Sequence, residues 1–286
     1  MGRIAYVNGS YVPKSQAVVH IEDRGYQFGD GVYEVCEIHA GALIDEERHL
    51  TRLKRSLAEL QIAPPLADGA LQIVLREVIR RNRVRDGYVY LQVTRGVAPR
   101  EHVFPPNSVR PSLVVTARAT DPRKNAATAA AGIAVLTQLD IRWKRVDIKT
   151  IGLLPNVLAR QAAKEKGAQE AWLVDEAGIV KEGAASNAWI IDQAGTIITR
   201  QIDNAILSGV TRNTLLDLIG REGLRLEERP FSLTEAKAAR EAFVTGATSL
   251  VMPVVSIDGA PVGDGKPGPL AQRLRALFHD IARRSL

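Results

Sequence analysis

The sequence predicts an α+β fold of two domains, and three observations predict it. Strand patterns come mostly as hairpins in each half of the chain, not as a regular strand–helix alternation. The length, 286 residues, lies near two domains of roughly 150 residues each. Near the middle, residues 119–132 change character, with turn formers in Thr120-Asp121-Pro122-Arg123-Lys124-Asn125 followed by small residues. The expected division is an N-terminal domain at 1–118, a linker at 119–132 and a C-terminal domain at 133–286.

Each element has its own signal. Asn8-Gly9 between residues 4–7 and 11–12 is the strongest two-residue hairpin pattern. Ala40-Gly41 does the same between 33–38 and 42–44. Leu50, Leu53, Leu57 and Leu60 form one stripe of an amphipathic helix that opens after Asp45, and Leu71, Val74, Leu75, Val78 and Ile79 mark a second. Residues 88–94 and 112–118 read as strands. Beyond the linker, Pro155 just inside and Gly167 just past a helical stretch bracket a helix. Turns at Asp175-Glu176-Ala177-Gly178 and Asp192-Gln193-Ala194-Gly195 pair 171–174 with 179–180 and 187–191 with 196–199. A helix is expected at 210–223, and Leu270, Leu274, Leu277 and Ile281 stripe the last one.

Composition narrows the function. Hydrophobic residues at 45% and charged residues at 24% are the proportions of an ordinary globular protein. The single cysteine, Cys36, excludes an intrachain disulfide and a cysteine-based zinc site. No apolar run approaches the roughly 20 residues of a membrane span. The start, Met1-Gly2-Arg3-Ile4-Ala5-Tyr6, lacks an apolar signal core and has Tyr6 where a myristoylation signal needs Ser or Thr, so the cytoplasm is expected. The net charge of +6, from 38 Lys and Arg against 32 Asp and Glu, favours anionic ligands. Its clusters, Arg80-Arg81-Asn82-Arg83-Val84-Arg85 and Arg142-Trp143-Lys144-Arg145, are short, and 5% aromatics offer no base-stacking platform. Small phosphorylated or carboxylated ligands suit this charge, and no nucleic-acid partner is expected.

Several residues are candidates for chemistry. There is no Gly-x-x-x-x-Gly-Lys-Ser/Thr loop or His-Glu-x-x-His, and no metal site is expected. Gly25, Gly29 and Gly31 have the wrong spacing for a dinucleotide fingerprint and lead into a strand, so they read as a tight loop. Lys149 stands in a mostly apolar stretch, where a lysine either snorkels or serves as an amine nucleophile; alone, a salt-bridged structural lysine is the commoner reading. Gly209-Val210-Thr211 at a helix start offers backbone N–H groups and a hydroxyl to a phosphate, or is a plain cap. Val244-Thr245-Gly246-Ala247-Thr248-Ser249, after a strand, is a second wall of that seat or an ordinary turn. Glu182 ends a strand beside small residues that would let a flat ring approach; alone it reads as a surface glutamate. Arg48, Arg52 and Arg55 share one helix face and read as a solvated stripe. Arg100 and His102 lie in a loop, where binding residues concentrate.

Five separated segments, in order, carry a resemblance. They are Glu22-Asp23-Arg24-Gly25-Tyr26-Gln27-Phe28-Gly29-Asp30-Gly31-Val32-Tyr33-Glu34, Val93-Thr94-Arg95-Gly96 leading to Arg100 and His102, and Asp147-Ile148-Lys149, followed by Glu182-Gly183 with Ser186-Asn187, and Leu207-Ser208-Gly209-Val210-Thr211-Arg212. Over nearly the whole chain they resemble the class IV aminotransferases, pyridoxal-phosphate enzymes of fold type IV with a smaller N-terminal and a larger C-terminal domain. The resemblance implies that Lys149, in the C-terminal domain, is the Schiff-base lysine and that Glu182 pairs with the pyridine nitrogen. It implies that Arg52 binds the cofactor phosphate with Val210 and Thr211, that Ala247 and Thr248 close the cup, and that Leu207 packs on the ring. Ser186, Asn187 and Gly209 belong to the same cofactor set. Tyr33, Arg100 and His102 look like the carboxylate trap of the D-amino acid branch, with the Arg100–His102 loop supplied by the partner subunit of a homodimer.

The implied reaction is transamination between a D-amino acid such as D-alanine and a 2-oxo acid such as 2-oxoglutarate, giving pyruvate and D-glutamate. Branched-chain L-amino acid members tend to carry an arginine four residues after the Tyr33 position, where this chain has Glu37. Ala247 and Ala185 stand where hydroxyl residues are often found, so contacts from 247 would come from backbone N–H. Alternatives are a branched-chain L-amino acid or (R)-amine aminotransferase, an aminodeoxychorismate-type lyase on the same fold, or a basic nucleic-acid-binding module without catalysis.

Overall fold

In the computed structural model, which describes residues 3–286, the chain divides into two compact units, each an α+β assembly with its own sheet. Among the described residues the first comprises 3–121, 148–152 and 283–286, and the second 122–147 and 153–282.

The first unit is built on β1 (Ile4–Val7), β2 (Ser10–Pro13), β3 (Gly31–His39), β4 (Ala42–Ile44), β5 (Gly87–Thr94) and β6 (Ser112–Ala119). The chain's final strand, Arg284–Ser285, joins them, and the spatial order is final strand, β4, β3, β5, β6, β1, β2, antiparallel throughout. Both expected hairpins form. Asn8 (φ 44°) with Gly9 (φ 99°), and Ala40 (φ 50°) with Gly41 (φ 89°), take the left-handed conformation that a tight two-residue hairpin demands. Helices α1 (Arg24–Phe28), α2 (Glu46–Glu59) and α3 (Asp68–Asn82) complete the unit. Leu50, Leu53 and Leu57 of α2 and the α3 stripe bury against Val32, Cys36, Leu91 and Val115 of the sheet, and this apolar contact is the unit's main source of stability. Ile148 joins the same core.

The second unit holds α4 (Pro122–Ala131), β7 (Ile133–Leu139), α5 (Leu154–Glu165), β8 (Glu170–Val174), β9 (Ile179–Gly183), β10 (Asn187–Ile191), β11 (Ile197–Thr199) and α6 (Val210–Arg221). It continues through β12 (Leu226–Glu228), β13 (Phe231–Ser232), α7 (Leu233–Lys237), β14 (Glu241–Gly246), β15 (Leu250–Ile257), β16 (Ala260–Pro261) and α8 (Pro269–Ile281). The mixed sheet runs β12, β11, β10, β14, β15, β7, β8, β9, β13, with β16 beside β15. β10 is buried on both faces: Ala188 and Ile190 enter one core, Trp189 and Ile191 the other, which α6 and α8 cover.

Three segments differ from the sequence expectation. Residues 119–132, expected as a linker, contain α4. Its alanines read as small linker residues, yet alanine is the strongest helix former, and only Ala129 is buried, so no apolar stripe announces the helix. Residues 24–28, expected within a tight loop, form one helical turn because the Asp23 carboxylate accepts the Gly25 N–H (2.8 Å) and caps it. The five residues 148–152, expected within the C-terminal domain, cluster with the first unit. Among the described residues no helix is long and apolar enough to cross a membrane.

Candidate active site

The candidate residues fall on both units, and each set is built locally. In the first unit, residues 148–152 lie alongside the start of β3. Tyr33 N–H donates to the Lys149 carbonyl (3.0 Å) and Ile151 N–H to the Gly31 carbonyl (3.1 Å), with a bridge between Val32 and Thr150. Lys149 N–H donates to Ser56 Oγ of α2 (3.3 Å). Residue 31 must be glycine for so close a fit, because a Cβ there would lie 2.6 Å from the Val93 carbonyl oxygen and 3.0 Å from the Ile151 side chain. Anchored by Ile148 in the core, Lys149 is half-buried, and its Nζ lies 4.1 Å from the centroid of the Tyr33 ring. The ring face attracts the ammonium and holds it in place. Lys149 and Tyr33, far apart in sequence, are thus brought together.

Next to them on β3, Glu34 is fully buried. It accepts Arg52 Nε and Nη2, both at 2.7 Å, in a two-toothed pair, and it pairs with His49 Nδ1 at 2.7 Å. Burial opposes ionisation of Glu34, but the charge and hydrogen bonds of Arg52, together with the His49 bond, overcome it and hold the carboxyl at about 2. Burial lowers the His49 imidazole, against the opposing pull of Glu34. Arg52 is thereby separated from Arg48 and Arg55: its side chain is 10% exposed and aimed by a buried carboxylate, whereas Arg55 is 45% exposed.

The motif residues around α1 turn out to be scaffold. Asp30 takes Arg95 through Nε (2.7 Å) and Nη2 (2.9 Å), and also Arg24 Nε (2.8 Å). Arg24 Nη1 reaches the Glu101 carbonyl (2.6 Å) and so ties the 97–104 loop to α1. Arg100 and His102 on that loop are exposed; both lie against the Phe28 ring, at 4.8 Å and 5.6 Å between centres, and the His102 N–H donates to Glu101 Oε1 (2.8 Å).

In the second unit, Glu182 at the end of β9 is buried and carries three donors. Arg142 Nη1 reaches Oε1 (2.6 Å), while Asn187 Nδ2 (2.9 Å) and the Leu207 N–H (3.1 Å) reach Oε2. Asn187 Nδ2 also donates to the Leu207 carbonyl (2.9 Å), which fixes the approach to α6. At Gly209, a Cβ would lie 2.1 Å from Asn187 Oδ1. Gly209 N-caps α6 with no side-chain bond to the first turn, which opens with Val210 and Thr211. β10 and β14 pair Asn187 with Thr245, and the next residue, Gly246, lies against the Ala185 carbonyl and Ser186. The sheet therefore gathers 185–187 with the 246–249 turn, and Asn187 links them to 207–211. Ala247 is half-buried, and the exposed Thr248 gives its carbonyl to Asn125 Nδ2 (2.7 Å). The Ser186 hydroxyl is used on Glu170 (3.0 Å).

Sequence reasoning misses Glu34 and His49 as the groups that aim Arg52, and Arg142 with Asp140 as the groups behind Glu182. Glu34 closes the segment 22–34, and its position after Tyr33 on a strand is the available signal. Arg142 reads from the sequence only as part of a basic cluster.

Comparison with known proteins now defines the class. Residues 31–257 match the Amino-transferase class IV family. A D-alanine aminotransferase of Bacillus licheniformis is 41% identical over 273 residues, covering 96% of this chain and 95% of the relative. The chain therefore belongs to the class IV aminotransferase family. Among solved structures, the branched-chain amino acid aminotransferase of Escherichia coli superposes with a TM-score of 0.90 at 24% identity, covering 98% of this chain and 95% of that one. The T.th. branched-chain amino acid aminotransferase with pyridoxamine 5'-phosphate gives 0.89 at 26% identity, covering 98% and 94%.

Proposed function

We propose that this chain is a pyridoxal-phosphate-dependent D-amino acid aminotransferase that transfers the amino group of D-alanine to a 2-oxo acid such as 2-oxoglutarate. The observation that carries the cofactor reading is Glu182: a buried carboxylate, set by three donors, is the group that suits a protonated ring nitrogen. The rest of the donor set fits the same cofactor. Lys149 offers an amine for its aldehyde, while Arg52 and a helix start without a side-chain cap suit its phosphate. Relatives at 36–41% identity bear the D-alanine name, against 20–26% for the solved branched-chain and other structures, so the L-amino acid and lyase alternatives are not favoured.

When bound, pyridoxal phosphate supplies an aldehyde for an amine and a ring that accepts an electron pair from the substrate α-carbon. Lys149 would take the proton from that carbon as general base and deliver it to the cofactor's C4′ carbon as general acid. Glu182 keeps the proton on the ring nitrogen, aided by Asn187 and the Leu207 N–H. Arg52, Gly209, Val210, Thr211, Ala247 and Thr248 would hold the phosphate, Leu207 would pack on the ring, and Ser186 would shape the loop that carries Asn187. Tyr33, Arg100 and His102 orient the substrate carboxylate and with it the face of the α-carbon turned to Lys149. The enzyme works as a cytoplasmic homodimer, with the Arg100–His102 loop serving the partner's site.

The test is a coupled assay of D- against L-alanine with 2-oxoglutarate, run on the wild type and on Lys149→Ala. The wild type should bind the cofactor with a visible absorbance band and use D-alanine at least tenfold better. Lys149→Ala should lose both band and turnover, and full activity in that variant would refute the assignment.

A further inference from the structure

Behind Glu182 stands a second carboxylate. Asp140, just past β7, is fixed by its own N–H on the Val174 carbonyl (2.8 Å). Its Oδ1 accepts Arg142 Nε (2.9 Å) and the Arg142 backbone N–H (3.1 Å), and its Oδ2 accepts Arg142 Nη2 (2.8 Å). Arg142 Nη1 is the nitrogen that reaches Glu182. The Arg142 and Glu182 side chains are buried, each at 6% exposure, and that of Asp140 is largely so, at 12%. One guanidinium thus faces two carboxylates, and its two-toothed partner is Asp140.

We propose that Asp140 is a positioning residue for the reaction: it takes up the larger share of the Arg142 charge, so that Glu182 keeps the negative charge needed to hold a proton on the cofactor ring nitrogen. The proposal rests on the assignment of Glu182 to that nitrogen. Without Asp140, Arg142 and Glu182 would form a neutral pair, and a ring N–H⁺ beside a neutral buried pair is poorly compensated. The neighbouring cations are already engaged. Lys181, on β9 beside Glu182, pairs with Asp175 (2.5 Å), and Arg200 pairs with Asp203 (2.5 Å). Burial works against the ionised form of Asp140, yet the Arg142 bonds and charge hold its carboxyl below the usual range.

The experiment uses holoenzyme loaded with pyridoxal phosphate labelled with ¹⁵N in the ring. In Asp140→Asn the ring nitrogen should lose its proton about one pH unit lower than in the wild type, with kcat for D-alanine down roughly tenfold and KM within about threefold. The double variant Asp140→Asn with Arg142→Met removes the cation as well, and its ring nitrogen should return to the wild-type protonation. A residue that only staples the chain would not give this rescue, because the double variant lacks the staple too. An unchanged ¹⁵N shift in Asp140→Asn, or a deprotonated ring in the double variant, overturns the role of Asp140. Should Asp140→Asn fail to fold, Asp140→Ser, which is equally neutral, takes its place beside the double variant. If the wild type yields no cofactor fixed to Lys149 by borohydride, the cofactor assignment fails instead.

Discussion

Glu34 shows how a single buried group can select one of three arginines. Helical periodicity puts Arg48, Arg52 and Arg55 on one face, and nothing in that pattern separates them. The choice is made by a residue on a strand 18 positions upstream, whose carboxylate takes two nitrogens of Arg52. Removing one partner of a buried ion pair costs about 3–5 kcal/mol, because the other charge stays buried without it. Glu34→Gln keeps the shape and loses the charge, so it should lower the melting temperature on the order of 10 °C in a thermal scan. Its pH signature has a definite sign. The native carboxyl titrates at about 2, below its ordinary value of 4.5. Its contribution is therefore complete above 4.5 and lost as pH falls toward 2, since the unfolded chain takes up the proton first. Urea titrations in that acid range should show stability falling less steeply in the variant than in the wild type.

Helix α6 and the loop before it depend on side chains that no hydrophobic pattern reveals. The helix is readable from its start at Gly209-Val210-Thr211, and α2, α3 and α8 from their apolar spacing, because each of these three buries a stripe against a sheet. Helix α4 is not, since alanine carries no stripe. Strand β10 is legible through its turn at 192–195 even though burial on both faces removes the usual alternation. Around α6 the glycine at 209 is visible, but its reason is not: the clash would be with Asn187, 22 residues earlier in the chain. Gly209→Ala should press on the Asn187 amide and disturb its bond to Glu182, leaving the sheet intact. We expect the affinity for pyridoxal phosphate to fall at least tenfold, about 1.4 kcal/mol, in an equilibrium absorbance titration, with far-UV circular dichroism unchanged.

The division of the chain into units follows contacts rather than sequence order, and this is why Lys149 escapes the expected boundary. Five residues leave the second unit's stretch of chain to lie beside β3, and no composition shift marks so short an excursion. Over the first unit, Val18, Ile21, Tyr26, Val103 and Phe104 are each more than half exposed. The Asp23–Val97 bridge and the Arg24–Glu101 bond hold their two segments together. Large apolar side chains left in water on adjoining segments suit the proposed homodimer, in which a partner would lie over this surface. With Arg100 and His102 on the same loop, a partner that covers it would receive both side chains. In a two-fold dimer this has a countable consequence. A heterodimer of Lys149→Ala and Arg100→Ala protomers, isolated by two different tags, would hold one site with both residues native and one with neither. Its activity toward D-alanine should be about half that of the wild type, although each variant homodimer is inactive or weak. If the loop served its own protomer, no native site would form, and the heterodimer would reach no more than half the activity of the Arg100→Ala homodimer.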